Sequence, residues 1–454
     1  MTVVAACADP VPPDCPLPAG LPVFPGAAGF GTTTPAGRGG RVIEVTSLAD
    51  SGPGTLRSAV AEAGPRTIVF RVGGTITLQN HLEVLEPFLT VAGQTAPGGG
   101  VMLNGAGIAV LTHDVLLQHL RVRPGAIAPI DPEDNDSVTV LGSAGGAYNV
   151  VIDHLSMSWS EDETFSTYFG AHDVTLSWSV VSEPLRLSRH QKGAHSAGVL
   201  FTNGARCASL HHTLMAHAGF RNPLVQGMGR FDVVENVIYD WGELATEVRA
   251  LSAVNQVNLV GNEYRPGPSS QTDWRQVNVA VGHPVNELIK AESLYATADK
   301  PQVFALANHG PSRPDDSSDE WSIASWSYGT DDLPAQYRSA IPFEVPAVPR
   351  VPGGQVVDAV LAGAGATRPQ RDAVDDRIIS EVLQGGGRII DHVEEVGGFP
   401  VLAPGTAPPD RDHDGMPDAW ESSRGLDPDD AADGPADPDG DGYTNLEDYL
   451  HSLR

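Results

Sequence analysis

An all-β fold built as a stacked solenoid is what this chain of 454 residues predicts, from a repeat, its spacing and the composition around it. Six segments share a turn residue, an alternating apolar run and a closing polar or aromatic pair. They begin at Asp114, Asn149, Asp173, Cys207, Phe231 and Val257. The last apolar residues, Leu117, Ile152, Leu176, Leu210, Val234 and Val260, step by 35, 24, 34, 24 and 26 residues. A base period near 24 with β-branched content marks coils that cannot bury their inward faces alone and stack into one continuous core. Fifty glycines, 37 prolines and 41% apolar residues suit such a loop-rich β protein.

The two long steps place insertions on the coils. The first carries Asp134 and Asp136, the second His190, Lys192 and His195. Insertions in a solenoid gather on one face, which is often the binding face. His119, His154, Trp178, His212, Asn236 and Asn262 fall at one place in successive coils and predict an internal ladder that satisfies backbone groups at a turn, not a set of metal or catalytic residues.

The formal net charge is -29, yet residues 184 to 231 contain no carboxylate. The stretch holds Arg186, Arg189, Lys192, Arg206, Arg221 and Arg230 with five histidines, and predicts a local positive field for an anionic ligand. Two acidic clusters precede it: Asp131, Glu133, Asp134 and Asp136, then Glu161, Asp162 and Glu163. Carboxylates grouped beside cations suggest a hard cation bridging to an anionic substrate. The overall charge argues against nucleic acid, no stretch resembles a membrane span, and a monomer is expected.

The ends differ from the middle. Residues 1–22 are Pro-rich and read as the start of a mature secreted chain, with a Cys7–Cys15 bridge and Cys207 left as a buried thiol. Residues 23–345 form the solenoid domain, although 265–345 look irregular. Residues 346–404 form a cover with helical pattern over 356–384, and Pro404, Pro408 and Pro409 mark the linker into a tail at 405–454. That tail carries 14 acidic residues against three arginines. Asp410, Asp412, Asp414, Gly415, Asp418 and Glu421 have the spacing of a calcium loop, as do Asp437, Asp439, Asp441, Gly442, Asn445 and Asp448. Both resemble thrombospondin type 3 and dockerin-like repeats.

Phe24-Pro25-Gly26-Ala27, Gly37-Arg38-Gly39-Gly40 and Ser51-Gly52-Pro53-Gly54-Thr55-Leu56-Arg57 resemble the opening of bacterial pectate lyase homologues. Val150-Val151-Ile152-Asp153-His154 is similar to their Val-Trp-Ile-Asp-His region, and Arg221-Asn222-Pro223 to their Arg-x-Pro element. The resemblance spans roughly residues 23 to 400. It implies a right-handed parallel β-helix, secretion, and calcium-assisted β-elimination on polygalacturonate or a related uronate polymer. It implies Arg221 as the base and Lys192 as the ligand of the substrate carboxylate. Asp134, Asp136, Asp162 and Glu163 would hold Ca2+, with His190, His195, Arg121, Arg123 and Gln226 binding substrate. Asp153 and Arg57 are expected to be structural. The sequence departs from the family where Gln226 replaces a second arginine, where Ser166 or Thr167 replaces a calcium aspartate, and at Val151. A β-helical hydrolase of the polygalacturonase type needs only a carboxylate pair, and a non-catalytic polysaccharide-binding solenoid needs no base; these are the competing functions.

Overall fold

The computed structural model describes residues 14–143, 146–250, 254–281, 301–327 and 329–453. The chain winds through three sheets of ten, nine and eight strands, each strand hydrogen-bonded to its neighbours one coil before and after. The strand pairs are parallel. The core is a column of alternate inward residues, such as Val115 and Leu117, Val150 and Ile152, Val174 and Leu176, that are buried in one cluster. Parallel strands covered on both sides need such apolar runs.

The period read from the sequence sets the register of the first sheet for three steps: Leu117 pairs with Ile152, Ile152 with Leu176, and Leu176 with Leu210. It then slips. Leu210 pairs with Val233, and Val233 with Leu259. Phe231 and Val233 supply the inward side chains, so Val234 faces outward and the fourth step is one residue shorter than the apolar run suggested. The ladder splits for the same reason. His119, His154, Trp178 and His212 stack as rings at a left-handed corner, with 4.4 Å between the Trp178 and His212 centroids. One residue further on, Asn236, Asn262 and Asn308 pass side-chain hydrogen bonds from coil to coil.

Residues 265–345 are less irregular than expected. Strands Val277–Val281, Pro301–Leu306 and Ala324–Trp326 extend the first and second sheets. The helical pattern resolves into Val356–Gly363 and Ala373–Gln384, the latter capped by Asp372, whose carboxylate accepts from the backbone N–H groups of Val374 and Asp375. Val360, Ile378 and Val382 pack on Val180, Leu214 and Val237 of the third sheet. Among the described residues no helix is long and apolar enough to cross a membrane.

The cysteine pairing differs from the expected one. Cys15 is bonded to Cys207, with 5.4 Å between Cα atoms and 192 residues between them in sequence. Cys7 lies outside the described residues. Proximity along the chain favoured the short bridge, but the N-terminal segment runs across the outside of the first sheet, where the Phe30 N–H donates to Ser209 Oγ, and so reaches Cys207.

Candidate active site

The second sheet builds a cleft of about 690 Å³. Asp136 sits two residues before strand Val138–Leu141, and Asp162 and Glu163 stand at the start of strand Glu163–Tyr168 on the next coil. Register places Val138 beside Phe165, so Asp136 and Glu163 come together, and the Glu163 N–H donates to Asp136 Oδ1 at 3.1 Å. Asp136, Asp162 and Glu163 are buried, and one carboxylate oxygen of each lies within 4.8 Å of the others. Burial and then the neighbouring Asp162 push the Asp136 pKa well above its ordinary value, although Ser166 Oγ donates to it. Ser166, not Thr167, is thus the residue beside the cluster; Thr167 Oγ1 is buried without a partner. Tyr168 donates its hydroxyl to Glu163 Oε2 at 3.0 Å.

Arg221 belongs to the turn before strand Leu224–Val225 and adopts φ 61°. Its guanidinium is ion-paired with Glu163 and about a fifth exposed (21%). Burial lowers its pKa, with the nearby Arg249 acting in the same direction. Gly198 permits this placement, because a Cβ there would stand 2.6 Å from the Arg221 carbonyl oxygen.

The other expected site residues separate into groups. Asp134 is exposed and, with Lys192, lines the same cleft. His190 and His195 are buried and turned onto Asp162, their rings stacked 4.1 Å apart. His195 Nε2 lies 2.7 Å and His190 Nε2 3.6 Å from Asp162 Oδ1. Buried in this way, they hold a carboxylate and do not face a polymer. Gln226 is also buried, donating to Thr202 Oγ1 at 3.2 Å and meeting Arg249 Nη1 at 3.5 Å.

Arg121 and Arg123 do not belong to the cleft. Both are fully buried under the C-terminal helices, where Arg123 reaches Asp372 at 2.5 Å and Asp375 at 2.7 Å. Burial opposes the Arg123 charge, but the two aspartates outweigh it and raise its pKa. The positive field expected over 184–231 is also largely neutralised. Arg186 pairs with Asp391, Arg189 with Glu161, and Arg221 with Glu163. Side chains remote in sequence supply most of these partners, so a segment free of acids is not a basic surface. The cleft wall carries Glu83, Asp131 and Glu133 besides the buried cluster and is acidic.

Sequence reasoning missed Glu247 and Arg249 on strand Thr246–Ala250, one coil beyond Arg221. They pair with each other, and Glu247 Oε1 accepts the Arg221 backbone N–H at 3.4 Å. Their signal was positional only: they follow Arg221 and Gln226 by one coil.

In the tail, Asp410, Asp412 and Asp414 form one acidic group and Asp437, Asp439 and Asp441 another. Asp418 is not among the carboxylates of the first group and pairs with Arg411 at 3.0 Å. Asn445 donates to the backbone oxygen of Asp433 at 2.8 Å, and Asp448 stands near the second group, which contributes to raising its pKa after burial.

No family model matches the chain. Against curated proteins it is 33% identical over 440 residues to a probable pectate lyase C of Aspergillus flavus, covering 95% of this chain and 94% of that one. It is 32% identical over 447 residues to a probable pectate lyase C of Emericella nidulans, covering 97% and 95%. These relatives are fungal, so the bacterial source expected from the resemblance is not what they carry, and neither is named for a thrombospondin- or dockerin-like module. Among solved structures, Jun a 1, the major allergen from cedar pollen, aligns with TM-score 0.50 at 18% identity, covering 75% of this chain and 92% of that one, and shares the right-handed parallel β-helix. With a third of its residues identical to the fungal proteins across nearly its whole length, this chain belongs to the pectate lyase family.

Proposed function

We propose that this protein cleaves polygalacturonate (pectate) by β-elimination, with Arg221 taking the proton at C5 of a uronate. The buried trio Asp136, Asp162 and Glu163 with Arg221 set against it carries the reading. The donor set fits calcium: it is all carboxylate oxygen, it is buried, and burial with the repulsion of Asp162 raises the pKa of Asp136, a cost that a divalent cation would offset. Asp136, Asp162 and Glu163, with Asp134 at the rim, would hold the ion, which would supply the positive charge that acidifies the C–H beside the uronate carboxylate.

The protein's own residues supply the rest. An arginine is ordinarily always protonated, and burial already lowers the Arg221 pKa. Lys192, exposed on the insertion, meets the substrate carboxylate. His195 and His190 fix the orientation of Asp162. The acidic wall repels a polyanion unless cations accompany it, which makes binding itself cation-dependent. The disulfide supports an extracytoplasmic site of action.

The test is the ultraviolet absorbance of the unsaturated product on polygalacturonate, with calcium and then with a chelator. The rise is expected to require calcium and to fall about 10³-fold in Arg221→Ala. New reducing ends without the absorbance would indicate hydrolysis and overturn the proposal.

A further inference from the structure

Outside the cleft, a group of buried, unpartnered carboxylates lies in the C-terminal module. Glu421, on helix Asp418–Arg424, is fully buried, and neither of its carboxylate oxygens has a hydrogen-bond partner. One of them lies within 4.8 Å of carboxylate oxygens of Asp414 and Asp433. Asp414 is itself buried, with Oδ2 unpartnered, and it also belongs to the group formed with Asp410 and Asp412. A buried carboxylate left unpaired is strongly unfavourable, so the group calls for a counter-charge. Residues 433–434 close over the group: a Cβ on Gly434 would stand 2.5 Å from Asp414 Oδ2, so a larger residue would push that carboxylate aside. Arg71, from the second coil, touches the rim at Asp410 from 3.4 Å.

We propose that Asp410, Asp412, Asp414, Glu421 and Asp433 form one closed calcium site whose ion fastens the C-terminal module to the first coils of the β-helix. Five carboxylates can supply the six to eight oxygens that calcium takes, without demanding octahedral regularity. The ligand set differs from the twelve-residue spacing: Asp418 is spent on Arg411, and Asp433, from beyond the loop, replaces it.

The fastening follows from what adjoins the ligands. Gly415 faces Val42, where a Cβ would meet Cγ1 at 3.1 Å, and Met416 is buried with Leu446, Tyr449 and Leu450 against Ala92 and Val42. Arg71 also donates to the Pro408 carbonyl at 2.6 Å, and Arg38 pairs with Glu447 at 2.8 Å. The loop that gathers the carboxylates is therefore the loop that packs on the solenoid. Neutralising it and holding it packed are one event.

Calorimetric titration of calcium into the full-length protein tests the ligand set. Glu421→Gln and Asp433→Asn should each remove one binding step or weaken it at least about tenfold, while Asp418→Asn leaves it unchanged. Binding unaltered by Asp433→Asn but lost with Asp418→Asn would restore the loop spacing and overturn the assignment. Trypsin tests the fastening, because Arg411 and Arg424 are the cleavable positions in the tail before its last residue. Both should resist with calcium and be cut with chelator, and in the two weakened variants be cut at calcium levels that protect the parent. A tail equally resistant with chelator overturns the fastening. Lyase activity at saturating calcium, expected unchanged in Glu421→Gln and Asp433→Asn, shows that the variants are folded.

Discussion

The second and third sheets each bury a charged cluster, and they resolve it in opposite ways. Under the C-terminal helices, Arg121, Arg123, Asp372 and Asp375 face one another, and Arg377 reaches Glu183 at 2.7 Å. Every such charge meets its opposite. In the cleft, Asp136, Asp162 and Glu163 share Arg221 and the imidazole of His195, and burial with the neighbouring Asp162 raises the pKa of Asp136. Identical residue types are a brace where the protein completes the charge and a binding site where it does not.

The comparison can be broken by removing one partner on each side. Asp372→Ala should cost about 3–5 kcal/mol, because it removes the carboxylate that Arg121 and Arg123 share and leaves two buried arginines against Asp375; chemical denaturation measures this, with activity per folded molecule unchanged. The His217 brace should give a pH signature. Burial works against its charge, but Asp240 at 2.7 Å and Glu381 at 3.2 Å outweigh it and raise the pKa to about 9. The folded protein therefore keeps a proton that the unfolded chain releases. Its stabilisation is complete below the ordinary histidine value of 6.5 and is lost as pH rises through about 9. His217→Gln should flatten that part of a stability–pH curve, by roughly 2–3 kcal/mol. The smallest effect has the opposite sign. Asp136→Asn should raise calcium-free stability by about 1 kcal/mol by removing the cost of burying this carboxylate and its repulsion with Asp162, while raising the calcium concentration needed for activity. Destabilisation by Asp136→Asn without calcium would erase the distinction between brace and site.

The sequence carried the architecture because coil length and inward alternation are local. Leu117, Ile152, Leu176 and Leu210 align as their spacing requires. It misplaced Val234 because two adjacent valines leave the inward one unmarked, and only packing chooses Val233. Asp136 was legible on the first insertion and Asp162 and Glu163 as an acidic cluster on the next coil, with their joint role given by the resemblance; the register of the second sheet brings them together. Arg121 and Arg123 were misread because their partners lie about 250 residues downstream: 249 and 252 for the two Arg123 bonds. A separation of 205 residues likewise hid the neutralisation of Arg186 by Asp391, and Asp433 escaped because loop spacing counts positions and not approach.

The bond between Cys15 and Cys207 imposes an order of assembly. Its two thiols are separated by 192 residues, so Cys207 is synthesised only after the coils between them. A ring of that size is entropically slow to close, whereas Cys7 lies eight residues from Cys15 and offers a quick alternative partner. The finished bond thus certifies that the N-terminal strap has crossed correctly stacked coils, and oxidation before stacking would trap the chain in a short, unproductive ring.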